Sequence, residues 1–452
     1  MSNTRRKIFD SAELVTSQSR CFNNRSMESV RLSVCPDDVL VDRKVSVQVS
    51  GLEARQNVTV YTSVKGDKGV AFASCGCYQA TTDGRLDLES MPSSSGTYTG
   101  IDGMGFIWSM LPSVGQRPGV QLLHSDVTKP QIVDISVYNG HLGFIDLCKG
   151  LSDSPVAKTV LKRWYKSQDV SRIPITSGRI RGSLFVPNGD RQFPGIIDIV
   201  GLEVGVMENR AALLASHGYV VMALPYYGYE DLPKHIVNLD LQYFKEAVTF
   251  MDTHIHVKPG GLGIIANSKG AEFAQLMAIH CDKIKYMVSV NGMPYITFFP
   301  IRNGDVSYPP AVKLDLSSCD FTDEGVVGRK GHILDTEKFI KVWESDVKIL
   351  SICGSDDLNL HPDLQQLRVD CFPPDKRDNI ELVTYKGAGH LIEPPFTPHC
   401  RASYNKLIQN NLVWGGNPID HAYAQDDSWR RILHFLTKHF HGEDTVSKLH
   451  KL

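Results

Sequence analysis

No sign of charge dominates this 452-residue chain: 48 lysines and arginines stand against 50 aspartates and glutamates, a formal net charge of −2. Such a balance leaves no global footprint for nucleic acid or an anionic membrane surface, so any anionic ligand must be held by a local set of cations. Long apolar runs are missing too. No stretch reaches the roughly eighteen residues of a membrane-spanning helix, and no signal-peptide apolar region follows the N-terminus. The cysteines, scattered from Cys21 to Cys400, are neither dense nor regularly spaced, which argues against a disulfide framework and for a reducing compartment. Cys75-Gly-Cys77 is spaced too closely for an ordinary zinc pair and reads as two strand thiols. HExxH and paired Cys/His ligand sets are absent, and His254-Ile-His256 reads as a surface pair near a helix end. These absences leave a soluble intracellular protein that needs neither metal nor cofactor, and one too long for a single hydrophobic core, so two domains or three are expected.

What is present changes texture along the chain. Residues 1–28, with Arg5, Arg6, Lys7, Arg20 and Arg25 among serines, read as an extension outside any core. From 29 to 150 the sequence is alternating and β-branched: SVRLSV, KVSVQVSGL, NVTVYTSV, KGVAFASC, TGIDGMGFIWSM and PQIVDISVYNG are separated by DD, GDKG, TDGR and PSSSG turns. Short strands with frequent turn signals predict an all-β sandwich of the immunoglobulin-like kind. Over 151–452 apolar strands alternate with amphipathic helices, from GRIRGSLFVP and FPGIIDIVG through LQYFKEAVTFMDTH to a C-terminal helix around DDSWRRILHFLTKHF. That order predicts a mostly parallel, doubly wound sheet. A polar, Pro-containing stretch at about 297–343 reads as an insertion of the lid or binding-loop type.

Within this second unit, GLGIIANSKGAEFAQLMAI puts Ser268 between an apolar strand and a helix. A sharp strand-to-helix turn lifts a serine hydroxyl clear of a sheet and aims the next N–H, that of Lys269, at a developing oxyanion. The pattern for such an elbow is G-x-S-x-G; here Ala266 replaces the first glycine, and by itself the stretch reads more readily as a helix N-cap serine than as a nucleophile. Two further strand ends bear on the choice. VKILSICGSDDLN ends in G-x-x-D, placing Asp357 on a loop, and IELVTYKGAGHLIEPP ends in Gly-His, placing His390. Asp356 or Asp357 alone is compatible with turn capping, and His390 with an ordinary loop histidine. The ordered set Ser268, Asp357, His390 predicts a nucleophile, a tautomer-fixing acid and a general base.

ALPYYGYEDLPK (223–234), NSKG (267–270), GSDDLN (354–359), GHLIEPPFTPHCRAS (389–403) and WGGNPIDHAYAQDDSW (414–429) together make the chain resemble the type I acyl-CoA thioesterase and bile acid-CoA:amino acid N-acyltransferase family. The likeness runs from about residue 29 to 440. It implies a β-sandwich joined to an α/β-hydrolase domain, an acyl-CoA substrate with CoA as part of the substrate rather than a cofactor, and the catalytic set Ser268, Asp357 and His390. The family's glycine-rich run after the second strand here reads Gly201-Leu202-Glu203-Val204-Gly205, so Gly201 or Leu202 is expected to supply the second oxyanion N–H, with Glu203 and Val204 reshaping the entrance. Leu358 and Leu360 stand where the thioesterases tend to have histidine and tryptophan. Hydrolysis through an acyl-Ser268 intermediate is favoured over transfer to glycine or taurine, because the transferase branch carries cysteine at the elbow. A catalytically idle binding protein and a generic carboxylesterase remain as other readings. The terminal His450-Lys451-Leu452 resembles a peroxisomal signal and the basic N-terminus a mitochondrial one, leaving peroxisome, mitochondrion and cytosol open.

Overall fold

The computed structural model describes residues 29–442, apart from 118, 237, 238, 314 and 315. The expected extension over 1–28 and the terminal His450-Lys451-Leu452 lie outside the described residues. No helix among those described is long and apolar enough to cross a membrane.

The first unit is built from two sheets on one core. Asn57–Lys65 lies between Ala71–Gln79 and Gln131–Asn139, antiparallel to both. Facing this larger sheet is a three-stranded one made of Arg31–Cys35, Ser46–Ser50 and Leu86–Asp87. Alternation decides which side chains meet: in Ser46–Ser50, Val47 and Val49 are buried while Gln48 and Ser50 are exposed. Val47, Val49, Val58, Val60 and Ile135 share a single apolar cluster between the sheets. Cys75 and Cys77 are buried strand residues, and every described cysteine is free.

Two expectations change here. TGIDGMGFIWSM was expected as a strand, but Gly105–Trp108 is one turn of helix with all four residues buried. The run lacks period-two alternation, and Asp102 holds the turn from outside by accepting from Met104 N–H at 2.8 Å and from Trp108 Nε1–H at 2.8 Å. The expected division at 150/151 also falls short. Ala157–Trp164 pairs antiparallel with Gln131–Asn139, so the first unit's sheet continues to Trp164.

The second unit holds eight strands, numbered here within it: β1 (Val170–Ile175), β2 (Gly182–Pro187), β3 (Phe193–Ile199), β4 (Val220–Ala223), β5 (Val257–Asn267), β6 (Ile284–Val290), β7 (Lys348–Gly354) and β8 (Ile380–Tyr385). Their order is β1-β2-β4-β3-β5-β6-β7-β8, antiparallel at β1–β2–β4 and parallel beyond, the arrangement of an α/β-hydrolase sheet. Every residue of β3 is buried, as a strand covered on both faces requires. The covering helices are α1 (Asn209–Ser216), α2 (Leu241–Asp252), α3 (Gly270–His280), α4 (Leu364–Asp370) and α5 (Pro418–His441). Successive β5 side chains serve opposite faces: Ile264 and Ala266 join the cluster of α2 and α3, and Ile265 joins that of α1 and α5. Within the insertion, Asp320–Thr322 and Gly325–Val327 form a hairpin that joins the pair Ala402–Asn405 and Asn410–Val413 in a four-stranded sheet above the main one.

The two units are locked by Asp42. Its Oδ2 lies 2.5 Å from His217 Nε2, just past α1, and accepts from Trp429 Nε1–H of α5 at 2.9 Å. Burial raises the Asp42 carboxyl, but the bonds from His217 and Trp429 outweigh it and hold it below its ordinary value. Removing one partner of a buried pair strands the other. Asp42→Ala is therefore expected to destabilise the protein by about 3 kcal/mol, seen as a lowered thermal midpoint by calorimetry.

Candidate active site

β5 runs straight into the turn that carries Ser268. The serine has φ of 51°, a left-handed conformation that a non-glycine residue adopts at a cost of roughly 1–2 kcal/mol. Surrounding bonds impose it: Ser268 N–H donates to Val290 O at 3.1 Å, and Ser268 O accepts from Met293 N–H at 3.2 Å and Ala271 N–H at 3.2 Å. The turn presses α3 against the end of β3. A Cβ on Gly270 would lie 2.4 Å from Ile199 O and 2.9 Å from Val200 O, so only glycine fits there. Ala266, in contrast, is an ordinary buried strand residue paired with Ile199 and Ser289, and its methyl joins the α3-side core. The two glycines of G-x-S-x-G thus face different demands, and this chain keeps the one that is sterically required.

Asp357 and His390, expected from the sequence as acid and base, lie side by side. His390 Nδ1 lies 2.7 Å from Asp357 Oδ2, and both side chains are buried. The other oxygen, Oδ1, accepts from Asn359 N–H at 2.7 Å and Leu360 N–H at 2.9 Å, which keeps the carboxylate turned toward the ring. Asp356 points elsewhere, accepting from Gly416 N–H at 3.0 Å. Ser268 and His390 line one cavity.

Several residues that support this pair received no role from the sequence. Asn291, φ 43° at the end of β6, accepts from Gly354 N–H at 2.9 Å and donates to His390 O at 2.7 Å, tying the acid-bearing strand to the base-bearing loop. Trp414 stacks on the His390 ring, centroids 5.5 Å apart and planes 16° from parallel, while its own Nε1–H donates to Ser403 Oγ at 2.7 Å. His421 accepts from Gly389 N–H at 3.1 Å and donates through Nε2 to Leu391 O at 2.8 Å, bracketing His390 on both sides. Trp414 and His421 belong to the WGG-x-P-x-x-HA block, where the pattern marked kinship but carried no geometry. Asn291 had only its place after an apolar strand as a signal.

The Gly201–Leu202 loop closes over the serine: a Cβ on Gly201 would lie 2.9 Å from Ser268 Cβ. Its carbonyls are pinned from below, Gly201 O by the Tyr226 hydroxyl and Leu202 O by the Tyr227 hydroxyl at 2.6 Å. In a trans peptide the N–H points opposite to the carbonyl, so these anchors set the directions of the Leu202 and Glu203 N–H groups. Lys269 is buried rather than available to a phosphate. Its Nζ lies 2.7 Å from Glu272 Oε2 and donates to Thr297 O at 2.6 Å, and Thr297 Oγ1–H donates to the other Glu272 oxygen at 2.5 Å. Burial lowers the ammonium and raises the carboxyl, while their contact opposes both shifts.

The cavity has two lobes meeting at Leu202, Glu203, Asn267 and His390. One, about 950 Å³ including space open to solvent, contains Ser268 and is walled by apolar side chains including Met293, Phe298, Val312, Val326, Leu407 and Leu412. The insertion and the 402–413 hairpin supply most of that wall, so the insertion is part of the site. His332, from the insertion, lines it too, bonded at 2.7 Å to Tyr295 and held below its ordinary value by burial. The second lobe, about 3160 Å³ including space open to solvent, is wider and mixed in character, with lysines, histidines and carboxylates set among apolar side chains such as Leu122, Val206, Ile236 and Phe299.

Two measurements test this construction. Gly270→Ala should lower stability and disrupt the elbow, whereas Ala266→Gly should cost only about 0.5–1 kcal/mol; denaturant unfolding of both variants compares them. His421 is pushed down to about 4 by burial, with His399 acting in the same direction. A neutral buried histidine must refuse a proton that the unfolded chain takes up below its ordinary value near 6.5. Stability is therefore expected to fall as the pH drops from about 6.5 to about 4, and His421→Gln should remove that slope; urea midpoints across this range read it out.

Family models give an independent comparison. One described as the acyl-CoA thioester hydrolase/BAAT N-terminal region matches residues 42–177, and one described as the BAAT / acyl-CoA thioester hydrolase C terminal matches residues 239–442. Among curated relatives, the rat acyl-coenzyme A amino acid N-acyltransferase 2 is 35% identical over 91% of this chain and 98% of its own length. The mouse acyl-coenzyme A thioesterase 1 is 34% identical over 89% and 94% respectively. The mouse peroxisomal succinyl-coenzyme A thioesterase is 33% identical over 88% and 94%.

Proposed function

We propose, from the premise that this chain belongs to the acyl-CoA thioester hydrolase and BAAT family, that it hydrolyses fatty acyl-CoA thioesters to free acid and CoA. The observation that carries the reading is the Asp357–His390 bond of 2.7 Å at the mouth of an apolar lobe that also contains a strained Ser268. In this mechanism Asp357 holds His390 with its proton on Nδ1, leaving Nε2 to take the Ser268 proton. The freed oxygen attacks the thioester carbonyl, and the backbone N–H groups of Lys269 and Leu202, on the loop begun by Gly201, receive the oxyanion. Collapse releases the CoA sulfur, which leaves as the thiol with the proton from His390, and the neutral His390 then activates a water that cleaves the acyl-Ser268 ester. The apolar lobe takes the acyl chain. No cofactor enters any step. The first unit, with its three-stranded sheet packed on a larger one, is read as immunoglobulin-like in kind.

A second reading is favoured by the names of several relatives: transfer of the acyl group to glycine or taurine rather than water. A serine at position 268 supports hydrolysis, because an oxygen ester leaves the acyl group to a positioned water. A catalytically idle protein is disfavoured by the intact set Ser268, Asp357 and His390.

Ser268→Ala should abolish acyl-CoA turnover with folding intact, and Asp357→Asn should reduce it by about 10⁴-fold, while Asp356→Asn has a much smaller effect. CoA release, followed with and without glycine or taurine, together with circular dichroism, checks all three. Full activity in Ser268→Ala would end the mechanism, and an amide product would move the protein to the transferase reading.

A further inference from the structure

The wide lobe has a wall that hydrolysis of a thioester does not by itself require. It is formed by three separate parts of the chain: the sandwich loops around Lys68 and Gly119–Ser125, the segment after the double tyrosine that contains Lys234, and the hairpin that carries Tyr404 and Lys406. Lys68, Lys234 and Lys406 are all exposed, and among the described residues none of the three ammonium groups forms a salt bridge. That sets them apart from cations such as Arg210 in the same lobe, which is committed to Asp198 at 2.5 Å. The sandwich part of the wall is firmly built. Asp67 N–H donates to Leu123 O at 2.8 Å, and Asp67 Oδ2 accepts from Ser125 N–H at 2.9 Å and its hydroxyl at 2.5 Å, so Lys68 projects from a braced turn. Tyr404 is 58% exposed on the same wall, an aromatic face free to stack on a planar ring.

Resting on the acyl-CoA reading above, we propose that this wall is the nucleotide subsite: Lys68, Lys234 and Lys406 receive the phosphates of the CoA adenosine 3′,5′-bisphosphate end, and Tyr404 stacks on its adenine. The sandwich domain is thereby a substrate-binding domain and not only a structural partner. A chain with net charge −2 needs a local cluster of cations to hold such an anion, and ammonium groups outside any salt bridge are the ones available to a phosphate. The layout follows the ligand's chemistry from end to end. The apolar lobe suits an acyl chain, the junction at Leu202 and His390 suits the thioester, and the wide lobe leads outward to the lysines. Glu203 lines both lobes and so sits at their junction, beside the neutral pantetheine arm rather than the phosphates. Desolvation raises its carboxyl while the charge of Lys406, which acts on it across the lobe, lowers it.

The test compares one acyl chain on two carriers, CoA and pantetheine, the latter lacking the nucleotide. With the wild-type protein, kcat/KM should be higher for acyl-CoA, and adenosine 3′,5′-bisphosphate should compete with it. Lys68→Ala, Lys234→Ala and Lys406→Ala should each raise KM for acyl-CoA about threefold to fivefold, and together about thirtyfold or more, with kcat nearly unchanged. Turnover of acyl-pantetheine should stay at the wild-type level in every variant, which also shows that each is folded. An unchanged KM for acyl-CoA in the triple variant would overturn the subsite, and an unchanged KM in Lys68→Ala alone would remove the sandwich from it. Equal losses on both carriers would assign the lysines to structure and overturn the proposal as well. A wild-type protein that cleaves neither thioester would instead defeat the acyl-CoA reading, and this inference with it.

Discussion

The gap between the end of β3 and the start of α3 governs what stands above the sheet. It is too narrow for any side chain at Gly270, whose Cβ would collide with Ile199 O. Holding the helix that close forces the chain into a left-handed turn at Ser268, and the strain stays because bonds from Val290, Met293 and Ala271 over-determine the turn. The same closeness brings Gly201 onto the serine, where Tyr226 and Tyr227 fix the loop from beneath. Arg210 reinforces the junction by joining Asp198, at the end of β3, to Asn267, the residue before the nucleophile.

From that turn the rest of the site is positioned across β6 and β7. Asn291 reaches both the end of β7 and the His390 loop, so the acid and base are set relative to each other by one side-chain amide. The His390 loop does not end within the hydrolase unit. Phe396, six residues on, is buried in the apolar cluster of the sandwich, and Asp42 of the sandwich grips α1's end and α5 from the other direction. The sandwich is therefore coupled mechanically to the base, besides forming a wall of the wide lobe.

The insertion shows how a sequence feature and its structural meaning can part. Its polar, proline-containing composition marks a segment outside the sheet–helix alternation. Composition does not reveal that Gly325–Val327 pairs with Asn410–Val413, more than eighty residues away, or that Val312 and Val326 turn into an apolar lobe while Asp320 and Glu324 stay outside. Burying those few apolar groups against Met293 and Leu412 is what makes a surface segment into a binding wall.

The amino-acid sequence by itself determined the two-unit division in outline, the strand–helix alternation of the second unit, and the order Ser268, Asp357, His390 at strand ends, because local periodicity and turn chemistry act over a few residues. It also carried the family kinship in blocks such as YYGYEDLPK and WGG-x-P-x-x-HA. Only the tertiary structure decided that Ala157–Trp164 completes the first sheet, that GFIW is helical, and that Lys269 is spent on Glu272. The contacts of Asn291, Trp414 and His421, and the placing of Lys68, Lys234 and Lys406 around one lobe, were likewise invisible beforehand. The reason is common to all of these. Each depends on contacts between segments tens to hundreds of residues apart, whose partners are chosen by close packing and hydrogen-bond satisfaction in three dimensions and leave no periodic mark on the chain.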